Sequence, residues 1–198
     1  LRIGVLKTPV FIGALTPLAW LAYWGYQGEL TANPIEYITH FTGWFGLCFL
    51  IASLAITPIR RLTGWHPVIR FRRMLGLFAF FYAVLHFSIW FVLDKFFSLS
   101  EMVADVVKRP YITVGMTALL VMLPLALTST QGMIRRLGGK RWQALHRLAY
   151  VAGVAAVLHF WWLVKSDVRE PKRWALGLAV LLGVRVWWTW RTRSLSRS

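Results

Sequence analysis

Acidic residues are scarce: seven Asp and Glu stand against 23 Lys and Arg in 198 residues, a formal net charge of +16. Cysteine is scarcer still. Cys48 is alone, which excludes an internal disulfide framework and a thiolate metal site. No G-x-G-x-x-G and no H-E-x-x-H occurs, so the Rossmann and zinc-protease signatures are absent. Paired carboxylates of the glycosidase kind are not suggested either, because no acid falls within an apolar stretch. What remains is apolar, with 58% hydrophobic residues, 12 Trp and 13 Phe. The basic residues sit in short clusters between apolar runs, the pattern of a membrane protein and not of a nucleic-acid-binding one.

Apolar segments fall at about 9–26, 40–58, 74–93, 110–128, 147–164 and 174–190, each near the ~20 residues needed to cross ~30 Å of hydrocarbon. Without strand alternation, runs of this length are helices. The expected fold is an all-α integral membrane protein, a six-transmembrane-helix bundle forming one domain over 1–198. Arg2 and Lys7 before the first segment resemble the start of a signal peptide. No A-x-A cleavage pattern follows, so a retained first helix is expected.

Charge sets the orientation. Arg60, Arg61, Arg70, Arg72 and Arg73 follow the second segment, and Arg135, Arg136, Lys140, Arg141 and Arg147 follow the fourth. These loops are expected in the cytoplasm, together with both termini, which carry Arg2, Lys7, Arg191, Arg193 and Arg197. All seven acids, Glu29, Glu36, Asp94, Glu101, Asp105, Asp167 and Glu170, fall on the opposite side, balanced by seven cations. Arg185 alone is a basic residue inside a segment, and its stem is expected to snorkel to the cytoplasmic interface. Residues 97–109 form an amphipathic connector expected along the outer interface. No internal repeat, low-complexity tract or second domain is evident.

An imidazole inside a membrane is costly and asks for a partner. His86, in YAVLHFSIW, and His159, in AAVLHFWWL, lie 14 residues after Arg72 and 13 after His146, each about 20 Å along a helix. His86 and His159 therefore share an outer level, and Arg72 and His146 an inner one. Two imidazoles at one depth are suited to a bis-histidine haem, but a satisfied structural pair or a proton relay fits the same pattern. Zinc suits it less, since only His40, near the surface, could add a third ligand. A spacing of 14 returns within about 40° of one helix face, whereas 13 leaves a pair about 140° apart. His146 thus needs a local unwinding, or a place at the frayed entrance of the helix, to face the same column as His159. His66 reads as a loop residue.

The segments HFTG at 40–43, ITP at 56–58, RFRRMLGL at 70–77, RPY at 109–111, LTSTQ at 127–131 and GKRWQALHRLAY at 139–150 together resemble the MsrQ (YedZ) family. That family lies in the ferric-reductase-like transmembrane superfamily, and the resemblance covers nearly the whole chain. It implies a haem-binding electron-transfer subunit of the bacterial inner membrane, taking electrons from the quinone pool or a cytosolic flavin reductase. The acceptor it implies is MsrP, the periplasmic molybdopterin subunit that repairs oxidised methionine. It further implies haem b, one or two, with His86, His159 and His146 as iron-ligand candidates, and FMN. Arg72 stands where larger relatives carry a further histidine. A guanidinium has no free lone pair, so a haem propionate or flavin phosphate is its expected partner. Arg70, Arg73, Arg136, Lys140 or Arg141 would meet the flavin phosphate at the cytoplasmic rim. The competing readings are a proton-coupled transporter and a non-redox membrane scaffold.

Overall fold

The computed structural model describes residues 3–195; Arg2 and Arg197, used above for orientation, lie outside the described residues. Among the described residues the regular structure is entirely helical: α1 (Ile3–Gln27), α2 (Pro34–Thr63), α3 (Ile69–Ile89), α4 (Leu99–Lys108), α5 (Pro110–Leu127), α6 (Gln131–Leu137), α7 (Gly139–Leu145), α8 (Leu148–Leu163) and α9 (Arg169–Leu195). A 3-10 turn (His66–Val68) precedes α3 and a π-helical turn (Trp90–Asp94) extends it.

Local chemistry sets the boundaries. Asn33 caps α2 by accepting the Glu36 N–H, Pro34 supplies the first helical position, and Gly64, at φ 69°, closes the far end in the left-handed region. Ser98 caps α4 through the Glu101 N–H, and Thr130 caps α6 through that of Met133. Pro110 opens α5, where its missing N–H costs nothing.

Four stretches are long and apolar enough to cross a membrane: Pro34–Thr63, His66–Asp94, Pro110–Leu127 and Gly139–Leu163. The first and last expected segments are helical, within α1 and α9, but are not among those four. Cations at both ends of α9 dilute its apolarity. Helices α2 and α3 pack as one antiparallel pair and α5 and α8 as another. The core lies between the pairs, where Leu50, Ala79, Met122 and Ala152 meet, and Leu47, Leu54 and Val157 carry it on to Leu178 of α9. Gly153 admits Leu54, whose Cδ1 lies 3.1 Å from where a Cβ would stand. Tyr82, fully buried, donates to the Ala14 carbonyl at 2.8 Å and so fastens α1 to α3.

Arg185 does not snorkel. Pro58 sits inside α2 and has no N–H, so the Leu54 carbonyl four residues earlier loses its helical partner. The Arg185 guanidinium donates Nη2 to that carbonyl and Nη1 to the Tyr150 hydroxyl at 2.9 Å, joining α9 to α2 and α8. A proline is tolerated in a spanning helix when a neighbour satisfies the freed group. Replacing Arg185 by Leu should therefore lower stability by about 1.5–3 kcal/mol. Restoring the N–H with Pro58→Ala should recover part of that loss in the double variant but not in wild type. Thermal unfolding in detergent of the four proteins measures both effects.

Candidate functional site

Helices α3 and α8 each carry one histidine at the seam between the two pairs. His86 Nδ1 lies 2.8 Å from the Thr39 carbonyl of α2, and His159 Nδ1 lies 2.7 Å from the Tyr111 carbonyl of α5. A carbonyl can only accept, so each Nδ1 carries the proton and each Nε2 keeps its lone pair. The ring centroids are 6.0 Å apart with planes at 79°. Metal–imidazole bonds of about 2 Å each would take up most of that separation.

The two cradles are built alike. Each carbonyl is followed four residues later by a glycine, Gly43 after Thr39 and Gly115 after Tyr111. In a helix the Cβ at i+4 leans back over the carbonyl of i, so glycine there uncovers the carbonyl for a neighbouring helix. A Cβ at Gly43 would stand 2.9 Å from His86 Nδ1, and one at Gly115 would stand 2.7 Å from His159 Nδ1. The histidines themselves lie in identical pentapeptides, AVLHF at 83–87 and at 156–160. The two helix pairs thus share a local likeness, with matching carbonyl, glycine and histidine. The repeated pentapeptide was a signal for it in the sequence, too short to stand out against an apolar background.

His146 stands at an interruption of the fifth expected segment. α7 ends at Leu145 and α8 begins at Leu148, so the helix is interrupted at His146 and Arg147. The His146 ring stacks on Trp142 at 3.8 Å, with Nδ1 3.0 Å from the Trp142 carbonyl and Nε2 3.5 Å from Ser129 Oγ. Trp142 Nε1 in turn donates to the Thr128 carbonyl at 2.9 Å. Arg72 and Arg73 lie half-buried near the start of α3. Neither makes an ion pair among the described residues. His40 and His66 are exposed. No group of three or more His, Cys, Asp or Glu positioned for a metal ion occurs among the described residues, so the outer level offers two imidazoles and not a zinc site.

At the outer end, α4 is strapped down. Lys95 Nζ lies 2.7 Å from Asp105 and 3.2 Å from Asp94, while Arg109 Nε lies 3.3 Å from Asp105. The hydrogen bond to Asp105 holds the Lys95 ammonium above its ordinary pKa, so the strap stays charged at neutral pH. Arg109 also donates to the Tyr111 hydroxyl, two residues from its own backbone, and so helps fix the turn whose carbonyl holds His159.

An all-helical membrane bundle with two facing, backbone-anchored histidines defines a class of protein, and the comparisons agree with it. Residues 38–157 match the family described as ferric reductase like transmembrane component. A relative from Herminiimonas arsenicoxydans, named protein-methionine-sulfoxide reductase heme-binding subunit MsrQ, is 53% identical over 98% of this chain and 89% of its own. Relatives of the same name from Ralstonia nicotianae (51%, over 93% of this chain and 86% of its own) and Rhodospirillum rubrum (54%, over 93% and 88%) are similar. No solved structure matches. The chain is an integral membrane protein that belongs to the ferric-reductase-like transmembrane family, within its MsrQ branch.

The cradle geometry makes a direct prediction. Gly115→Ala should push His159 from the Tyr111 carbonyl and cost about 1–3 kcal/mol by overpacking. Gly183→Ala in α9, where nothing lies within 4 Å, should be neutral or stabilising. Thermal unfolding of the two variants beside wild type measures the difference.

Proposed function

We propose that this chain is the membrane electron-transfer subunit of a bacterial methionine sulfoxide reductase system, with one b-type haem held between His86 and His159. The observation that carries the reading is the pair of Nε2 lone pairs left free, at one level, by two Nδ1–H bonds to backbone carbonyls. A carbonyl behind a ligating imidazole fixes its tautomer and raises its basicity, which is what an axial ligand needs. Bound haem would supply reversible one-electron chemistry with its potential set by these ligands. The chain's own residues position it: Gly43 and Gly115 admit the rings, and the buried seam keeps water away.

The inner level supports a lesser role. It presents one imidazole, already engaged by Ser129 and Trp142, and a guanidinium that cannot ligate iron. On this reading His146, Arg72 and Arg73 belong to the electron entrance and not to a second bis-histidine site. FMN would meet the cationic rim of Arg70, Arg73, Arg136, Lys140 and Arg141 through its phosphate. Electrons would come from quinol or a cytosolic flavin reductase and leave to the periplasmic molybdopterin subunit MsrP.

In the same reading α1 and α9 are the first and sixth spans of a multi-pass inner-membrane protein, and both termini are cytoplasmic. Its support is the charge asymmetry, with every acid on one side. In a Cys48→Ser background, Ser100→Cys in α4 should react with a membrane-impermeant thiol reagent on spheroplasts, and His66→Cys should react only after lysis. Reaction of His66→Cys on sealed spheroplasts overturns the orientation.

Spectroscopy tests the cofactor. Protein made with full haem supply and reduced with dithionite should show haem bands. His86→Ala and His159→Ala should each fall below half the wild-type haem per protein, and His146→Ala should stay above it. A colourless wild-type preparation, or wild-type haem content in the His86 variant, overturns the reading.

A further inference from the structure

The two cradles match at the carbonyl, the glycine and the histidine, but they differ at the residue just before the glycine. That residue is Thr42 on one side and Val114 on the other. Thr42 is fully buried. Its hydroxyl lies 2.8 Å from the Ile38 carbonyl and 3.0 Å from the Thr39 carbonyl, so its single proton is divided between the two. Val114 stands at the same offsets from the Pro110 and Tyr111 carbonyls and has no proton to give.

Bonding back to its own helix is what a threonine inside a spanning helix ordinarily does. Here one of the two acceptors has a further task. The Thr39 carbonyl holds His86 Nδ1–H at 2.8 Å, so it meets the helical N–H four residues on, the His86 ring and a share of the Thr42 hydroxyl. A carbonyl has two lone pairs, and these donors must divide them. The Tyr111 carbonyl, among the described residues, meets only its helical N–H and His159, at 2.7 Å. The more strongly a carbonyl accepts Nδ1–H, the more electron density the ring offers at Nε2. His159, on an unshared carbonyl, is therefore the stronger donor of the pair and His86 the weaker.

We infer that Thr42 is a positioning residue for the outer site: by drawing on the Thr39 carbonyl it loosens the hydrogen bond behind His86 and keeps that imidazole the poorer of two unequal ligands. The hydrogen bond is a property of the chain itself, whereas its effect on a redox potential rests on the haem reading. An electron-rich axial ligand favours ferric over ferrous iron, so the hydroxyl holds the potential above what two unshared carbonyls would give.

The test exchanges the two side chains. Thr42→Val gives the His86 side the residue of its twin, Val114→Thr gives the His159 side a hydroxyl, and Thr42→Ser keeps the hydroxyl as the control. In Thr42→Val both carbonyls retain their helical N–H, so no buried acceptor is left unmet and the variant should fold. The full chain, carrying isotope-labelled histidine, is reduced with dithionite, which leaves bis-histidine haem diamagnetic, and the Nδ1–H protons are read by NMR. The His86 proton should move downfield in Thr42→Val with His159 unmoved. The His159 proton should move upfield in Val114→Thr with His86 unmoved, and Thr42→Ser should match wild type. In haem-loaded Thr42→Val the ferric form should gain about threefold over the ferrous, a fall of about 30 mV at 59 mV per tenfold, and in Val114→Thr the potential should rise.

An unmoved His86 proton in Thr42→Val, or an equal shift in Thr42→Ser, overturns the inference, as does an unchanged potential at wild-type haem content. If Thr42→Val does not fold, Val114→Thr decides, and an unmoved His159 proton there overturns it. A wild-type chain that takes up no haem overturns the haem reading instead, and the proton shifts, read on the same samples, still decide the role of Thr42.

Discussion

In hydrocarbon no water completes an unmet backbone group, and this bundle is organised around side chains that donate to carbonyls of other helices. His86 to Thr39, His159 to Tyr111, Arg185 to Leu54, Tyr82 to Ala14 and Trp142 to Thr128 are all of this kind. Each bond solves two problems at once: a polar side chain that would be expensive in the membrane gains a partner, and two helices gain a fixed register. Apolar packing alone discriminates weakly between registers when the surrounding lipid is as apolar as the core. The polar bonds supply that discrimination.

The histidine pair depends on the same rule. A helical carbonyl already accepts from the N–H four residues on, and it has a second lone pair to offer only if nothing covers it. Gly43 and Gly115 provide the opening, so the ligand geometry follows from two missing methyl groups as much as from two imidazoles. The donor direction then decides which ring nitrogen remains available, a choice made by backbone and not by any ionisable neighbour.

Much of this was legible in the sequence and some was not, for identifiable reasons. Segment length and composition placed the helices, because membrane thickness fixes how many apolar residues a span needs. Counting from Arg72 and His146 put His86 and His159 at one depth, because helical rise is constant. The angular count along the fifth segment indicated that something must give at His146 without saying how, since no proline or glycine marks the break at Arg147. Arg185 was misjudged because its partner is a carbonyl freed by Pro58, 127 residues earlier. Local chemistry at Arg185 favours snorkelling, and only the folded bundle brings the orphaned group within reach. Gly43 stands within the HFTG segment and Gly115 in none of the motifs, and what either uncovers is visible only once a second helix lies against it.

The paired cradles have a consequence for how this protein can be studied. Thr39, Gly43 and His86 on one side have counterparts in Tyr111, Gly115 and His159 on the other, within a single chain at fixed stoichiometry. Each half is therefore an internal control for its twin, sharing expression level, membrane and fold. They are not mirror copies, because His86 is followed by a π-helical turn and His159 by the extended residue Val164. What differs between equivalent substitutions in the two halves reports on their unequal surroundings, those exits among them.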